Sequence, residues 1–204
     1  MAPNGLSPIN LVPGEVVGLD DQFKPTDGDT SRGGRGQKIG KISCDPVEYL
    51  NDYHVHIYLG IVANGKQIAV PDAIGLDKPG PEQNGYITTA GCYYFIHTHD
   101  ASGMIHIEDP NNLPPSATPY TFSSFLKIWG MRYTKTTFGK YHGKMLVFVG
   151  NPAALGQTEV TSYQQWKGGL GAIPLRSHEV IWIEIGKPFT AAKYLPPVTF
   201  YTEY

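Results

Sequence analysis

Seven histidines occur in this 204-residue chain, and five of them fall in two short segments. "YHVHIY" carries His54 and His56, and "FIHTHDASGMIHIE" carries His97, His99 and His106. Side chains alternate along an extended chain, so each His-x-His pair presents two imidazoles on one face of a strand. If "DASG" turns the second segment back on itself with Asp100 facing Gly103, His97 stands opposite His106 and His99 opposite Met104. Directly paired residues hold their Cβ atoms ~4.5–5.5 Å apart. That hairpin alone gathers His97, His99 and His106, with Glu108 one step further along. Bringing His54 and His56 in from a facing strand or sheet makes up to five imidazoles converge. Imidazoles fixed by strands suit a transition-metal ion, copper or zinc first and iron or manganese second. A structural or pH-sensing histidine cluster is the competing reading, although burying unpartnered imidazoles is costly and protonating several together is self-repelling.

Other side chains of these segments take supporting roles. Glu108 could orient a ligand imidazole, as carboxylates around metal sites commonly do. Tyr58 shares the face of His54 and His56 and is a candidate ligand, donor or packing residue. Asp100 points away from His97 and His99 in a regular strand, which suits a cap on the "DASG" turn. Met104 would favour copper(I) if its thioether reached the metal, with core packing as the plainer role. His142 and His178 stand apart from both segments. The chain carries no Gly-x-Ser-x-Gly elbow, no His-Glu-x-x-His helix and no dinucleotide fingerprint.

The elements that must position these residues read as β. "YHVHIYLGIVANGKQIAV" is an alternating run, an Asn64-Gly65 turn and a second run, which is the strongest short-range hairpin signal. "ITTAGCYYFIHTH", "DASG" and "MIHIE" make a second hairpin, and "KMLVFVG", "EVIWIEIG" and "PPVTFYTEY" supply later strands. One helix is predicted near residues 122–129, because Phe122, Phe125, Leu126 and Trp129 form one apolar stripe. Thr121 is its candidate N-cap and Gly130 its stop. The expected fold is mainly β, a sandwich or barrel-like arrangement of antiparallel hairpins with that one short helix.

Residues 1–38, rich in Gly and Pro and without periodicity, read as a tail or extended arm. Residues 39–204 read as one β-rich domain, with a histidine-cluster half at 39–130 and a strand half at 131–204. A net charge of −2 with no basic run gives no electrostatic footprint for nucleic acid. No apolar stretch approaches the ~18 residues of a membrane span, and no secretory leader is read in the first residues. The arm, the Tyr-rich strands and the Gly/Pro loops also fit a second class, a surface or filament subunit whose arm docks on a neighbouring copy. Cys44 and Cys92 are either a disulfide pair or two buried thiols.

The cysteine before a His-x-His strand, the Asn-Gly turn, "CYYFIHTHDASGMIHIE" and "FSSFLKIWG" together resemble an uncharacterised family of bacterial and archaeal proteins, most of them exported or membrane-anchored. The resemblance runs from about residue 38 to the C-terminus and is most specific over "HTHD" and "IHIE". It implies an extracytoplasmic location and, from that, a Cys44–Cys92 disulfide. It implies no activity.

Overall fold

The computed structural model describes residues 33–154 and 157–200. Cys44–Asp45 (β1), Tyr53–Ala63 (β2), Lys66–Ile68 (β3), Leu76–Asp77 (β4), Cys92–Tyr94 (β5), Ile96–His97 (β6) and Met104–Asp109 (β7) precede the helix Phe122–Trp129 (α1). After it come Thr137–Phe138 (β8), Tyr141–His142 (β9), Met145–Gly150 (β10), Glu159–Val160 (β11), Gln164–Gln165 (β12), Val180–Ile185 (β13) and Val198–Thr199 (β14).

The main sheet runs β12-β10-β13-β2-β7-β6, with β3 folded back on the end of β2. The β2–β3 hairpin pairs Ala63 with Lys66 across Asn64-Gly65. Both loop residues have positive φ, 52° and 76°, the signature of a type I′ turn whose twist matches the strands. β7 lies antiparallel on one side of β2, and β13 lies parallel on the other, from Val180 opposite Tyr58 to Ile185 opposite Ala63. This parallel pair joins the expected antiparallel hairpins in one mixed sheet. A parallel partner needs a long crossover, and here the connection carries the helix and strands β3 to β12. The sheet does not close on itself, so the barrel alternative is not met.

Alternation along these strands divides the apolar residues between two cores. Val55, Ile57, Leu59 and Ile61 of β2 join Ile105, Ile107, Ile181 and Ile183 in the core that α1 covers with Phe122, Phe125, Leu126 and Trp129. Tyr58, Val62, Met104, Phe148, Val180 and Trp182 form a second cluster on the opposite face. The even-numbered residues at the start of β2 are His54 and His56, so the histidines occupy one end of that second face. Strand β2 is therefore covered on both sides, which explains why its sequence reads as nearly continuously apolar after His56.

Helix α1 begins after Thr121, which is extended (φ −120°, ψ 165°) but makes no side-chain cap, and it ends at Gly130 in the left-handed region (φ 76°). Cys44 and Cys92 form a disulfide that fastens β1 to β5. Of the expected tail, Gly34 donates its N–H to the Ile128 carbonyl at the end of α1. Residues 1–32 of that tail lie outside the described residues. Among the described residues no helix is long and apolar enough to cross a membrane.

Candidate metal centre

Strand pairing brings the two histidine segments together. The β2–β7 register sets His56 opposite His106 and His54 opposite Glu108, and the β6–β7 register sets His97 opposite His106. The convergence thus arises between neighbouring strands of one sheet, with β7 in the middle, rather than between facing sheets. Met104 does not stand opposite His99. It pairs with Tyr58 of β2 and packs into the second apolar cluster. The reason is a pair of long-range bonds: after His97 the chain leaves β7, and Thr98 bonds through its N–H to the Ile74 carbonyl and through its hydroxyl to the Pro71 carbonyl. His99 is fixed instead by the Tyr86–Ile87 loop. Its Nδ1 lies 2.6 Å from the Ile87 carbonyl, and Tyr86 stacks on its ring with centroids 4.7 Å apart.

The hydrogen bonds determine which nitrogens face inward. A carbonyl oxygen only accepts, so Nδ1 of His97 donates to Tyr94 O at 2.8 Å and Nδ1 of His99 donates to Ile87 O. Each neutral ring then keeps a lone pair on Nε2. Those two Nε2 atoms sit 3.0 Å apart. Neither ring has a proton left to place between them. Burial, reinforced by neighbouring imidazoles, pushes His97 well below the ordinary imidazole range. His99 is lowered mainly by burial, against the opposing pull of its Ile87 hydrogen bond. An added proton is therefore a poor bridge, and a cation bound by both lone pairs is a good one. Two imidazole nitrogens each ~2.0–2.1 Å from one ion lie roughly 2.9–3.4 Å apart for square to tetrahedral ligand angles.

On the other side of β7, His56 Nε2 and His106 Nδ1 are 3.1 Å apart. Burial first, and then His54, His178 and His99, lowers His56 to about 3, while His106 is lowered well below its ordinary value by burial and its four neighbours. Glu108 sits among these rings, 1% exposed. Its Oε1 lies 3.4 Å from His54 Nε2 and 3.7 Å from both His97 Nε2 and His106 Nδ1. Burial and the nearby charge of Glu48 raise the Glu108 carboxyl to about 8. Sequence reasoning placed Glu108 as a support for a ligand. In the structure it stands as close to the imidazole nitrogens as a ligand would.

Glu48 was missed altogether. Its Oε1 is 3.5 Å from His99 Nε2, completing a Glu48–His97–His99 group. It sits in the loop between β1 and β2, where no periodicity marks it, and only the disulfide at Cys44 hints that the loop is tethered. Tyr58 and Asp100 are not brought to the cluster. Tyr58 packs against Trp182, with ring centroids 5.6 Å apart, and burial and Tyr163 raise its hydroxyl above the ordinary range. Asp100 caps the turn, accepting from the Ser102 N–H at 3.0 Å and the Ser102 hydroxyl at 2.5 Å. His142 is exposed. His178 stacks on Phe200, and its backbone N–H donates to the His56 carbonyl. Compared with protein-family models, curated proteins and solved structures, the chain matches none.

Proposed function

We propose that this chain is a transition-metal-binding protein, akin to the exported family whose histidine motif it resembles, and that copper or zinc is its metal, with iron or manganese behind. The observation that carries this reading is the pair of inward Nε2 lone pairs of His97 and His99, 3.0 Å apart, each ring keeping its proton on the Nδ1 that donates to a backbone carbonyl. Leaving them unbridged in a buried site would cost on the order of 1–3 kcal/mol for each unsatisfied group. His54, His56 and His106 supply further nitrogen donors, and the preference for imidazole favours copper and zinc over ions that select oxygen. Such an ion would act as a Lewis acid or redox centre if a coordination position stays open, and as a stored or structural ion if it does not. Glu48 supports the open form, since its side chain is 20% exposed and forms the wetter wall of the site. The Cys44–Cys92 disulfide supports an oxidising, extracytoplasmic compartment.

Elemental analysis of the protein purified without chelator or His-tag tests the reading, beside a His97→Ala/His99→Ala double variant. The expected result is a single bound metal at one equivalent or more, falling in the variant. Folded protein that carries no metal and takes up neither copper nor zinc would overturn it.

A further inference from the structure

The site holds more donors than one ion can use. Five imidazoles and two carboxylates converge, whereas a first-row transition ion takes four to six ligands. The donor atoms that lie within 4.8 Å of one another sort into a His54–His56–His106 group, a Glu48–His97–His99 group and a His99–His106–Glu108 group. The first two share no residue. The third draws one histidine from each and adds Glu108.

Resting on the metal-binding reading, we infer that the centre is dinuclear: one ion on His54, His56 and His106, a second on Glu48, His97 and His99, with the Glu108 carboxylate shared between them. Glu108 Oε1 is placed for this, being 3.4 Å from His54 Nε2 and 3.7 Å from His106 Nδ1 on one side, and 3.7 Å from His97 Nε2 on the other. The close nitrogen pairs divide along the same line. His56 with His106 (3.1 Å) and His97 with His99 (3.0 Å) are each spaced for one ion, and each pair lies within a single group. The sheet explains the pairing of sites. β2 supplies the first ion's His54 and His56, β6 and the segment after it supply the second ion's His97 and His99, and β7 between them supplies His106 and the shared Glu108. Two ions held on these residues would supply a pair of neighbouring Lewis acids.

Cobalt(II) titrated into the chelator-stripped full chain, followed by its visible absorption, reads the stoichiometry. The wild type is expected to saturate at two equivalents. A His54→Ala/His56→Ala variant and a His97→Ala/His99→Ala variant are each expected to saturate at one. Saturation of the wild type at one equivalent would overturn the dinuclear assignment while leaving the metal-binding reading intact, and no uptake would overturn both. The wild-type arm needs no variant to fold. Copper(II) electron paramagnetic resonance then tests the shared carboxylate. The isolated-ion signal seen at one equivalent should broaden or vanish at two, and two independent signals would overturn the bridge.

Discussion

At the residue scale, the metal-free site is tuned by two opposing groups of titrations. Buried His56 is lowered to about 3, and His54, His97, His99 and His106 are lowered as well. A lowered imidazole binds fewer protons folded than unfolded, so its contribution to stability is present above pH 6.5 and is lost as pH falls towards 3. Glu108 is raised to about 8 and Glu179 to about 7, in both cases chiefly by burial. Their contribution is present below pH 4.5 and is lost as pH rises through 7 to 8. Five depressed imidazoles outweigh the raised carboxylates. The urea midpoint of chelator-treated protein should therefore fall more steeply from pH 6.5 to 4 than from 6.5 to 8.5. The acid limb should be shallower in the His97→Ala/His99→Ala variant. An equally steep acid limb in that variant would show that these imidazoles are not the groups responsible. Glu108→Gln should flatten the alkaline limb, because a neutral amide has no charge to bury.

At the element scale, the "DASG" turn sets where β7 begins and thus where His106 and Glu108 lie. Gly103 has φ 93°, its carbonyl accepts the Leu59 N–H of β2 at 2.9 Å, and an added Cβ would sit 2.4 Å from the Leu59 carbonyl oxygen. Backbone cannot swing aside as a flexible side chain would. Gly103→Ala should cost about 2–4 kcal/mol, from the left-handed backbone and the clash together. It should also weaken cobalt uptake by shifting β7 against β2. Gly40→Ala is the control: its φ is 61° but nothing lies within 4 Å, so only the conformational cost of ~1 kcal/mol remains. Equal unfolding midpoints for the two variants would refute the role given to the turn. Hairpins and turns of this kind were legible in the sequence because their signals are local. Asn64-Gly65, the α1 stripe and the His97–His106 register all come from spacing within about fifteen residues. What was not legible is long-range. The parallel seat of β13 against β2, the docking of Thr98 on Ile74 and Pro71, and the arrival of Glu48 at His99 depend on segments far apart in the chain, where no period or turn residue records the partner.

At the scale of the whole molecule, the Cys44–Cys92 disulfide and the histidine–carboxylate cluster lie on the same part of the fold. The bond joins residues 48 apart and closes a loop that contains β2 to β4, including His54 and His56. Constraining a loop of that length in the unfolded chain contributes about 4 kcal/mol in the chain-entropy model. That is a large part of the ~5–15 kcal/mol by which domains are stable. The loop bearing Glu48 starts at this bond and is braced by Tyr49, whose hydroxyl donates to Asp45 at 2.9 Å and whose ring meets Phe95 edge-on. Cutting the bond should thus loosen the Glu48–His97–His99 group more than the strand-held His54–His56–His106 group. Reduction, or Cys44→Ala/Cys92→Ala, is expected to lower the unfolding free energy of metal-free protein by about 4 kcal/mol, read from urea curves. Metal bound only by the folded state works in the opposite direction, restoring ~4 kcal/mol at a free concentration near 1,000 times its Kd. Reduced protein with one zinc site filled to that degree should therefore unfold close to where oxidised, metal-free protein does, and later still with both sites filled. If reduction leaves the urea midpoint unmoved, the loop-entropy argument fails. If zinc binds but restores nothing, the histidine cluster is not coupled to folding, and the ion sits on a surface that the unfolded chain offers equally well.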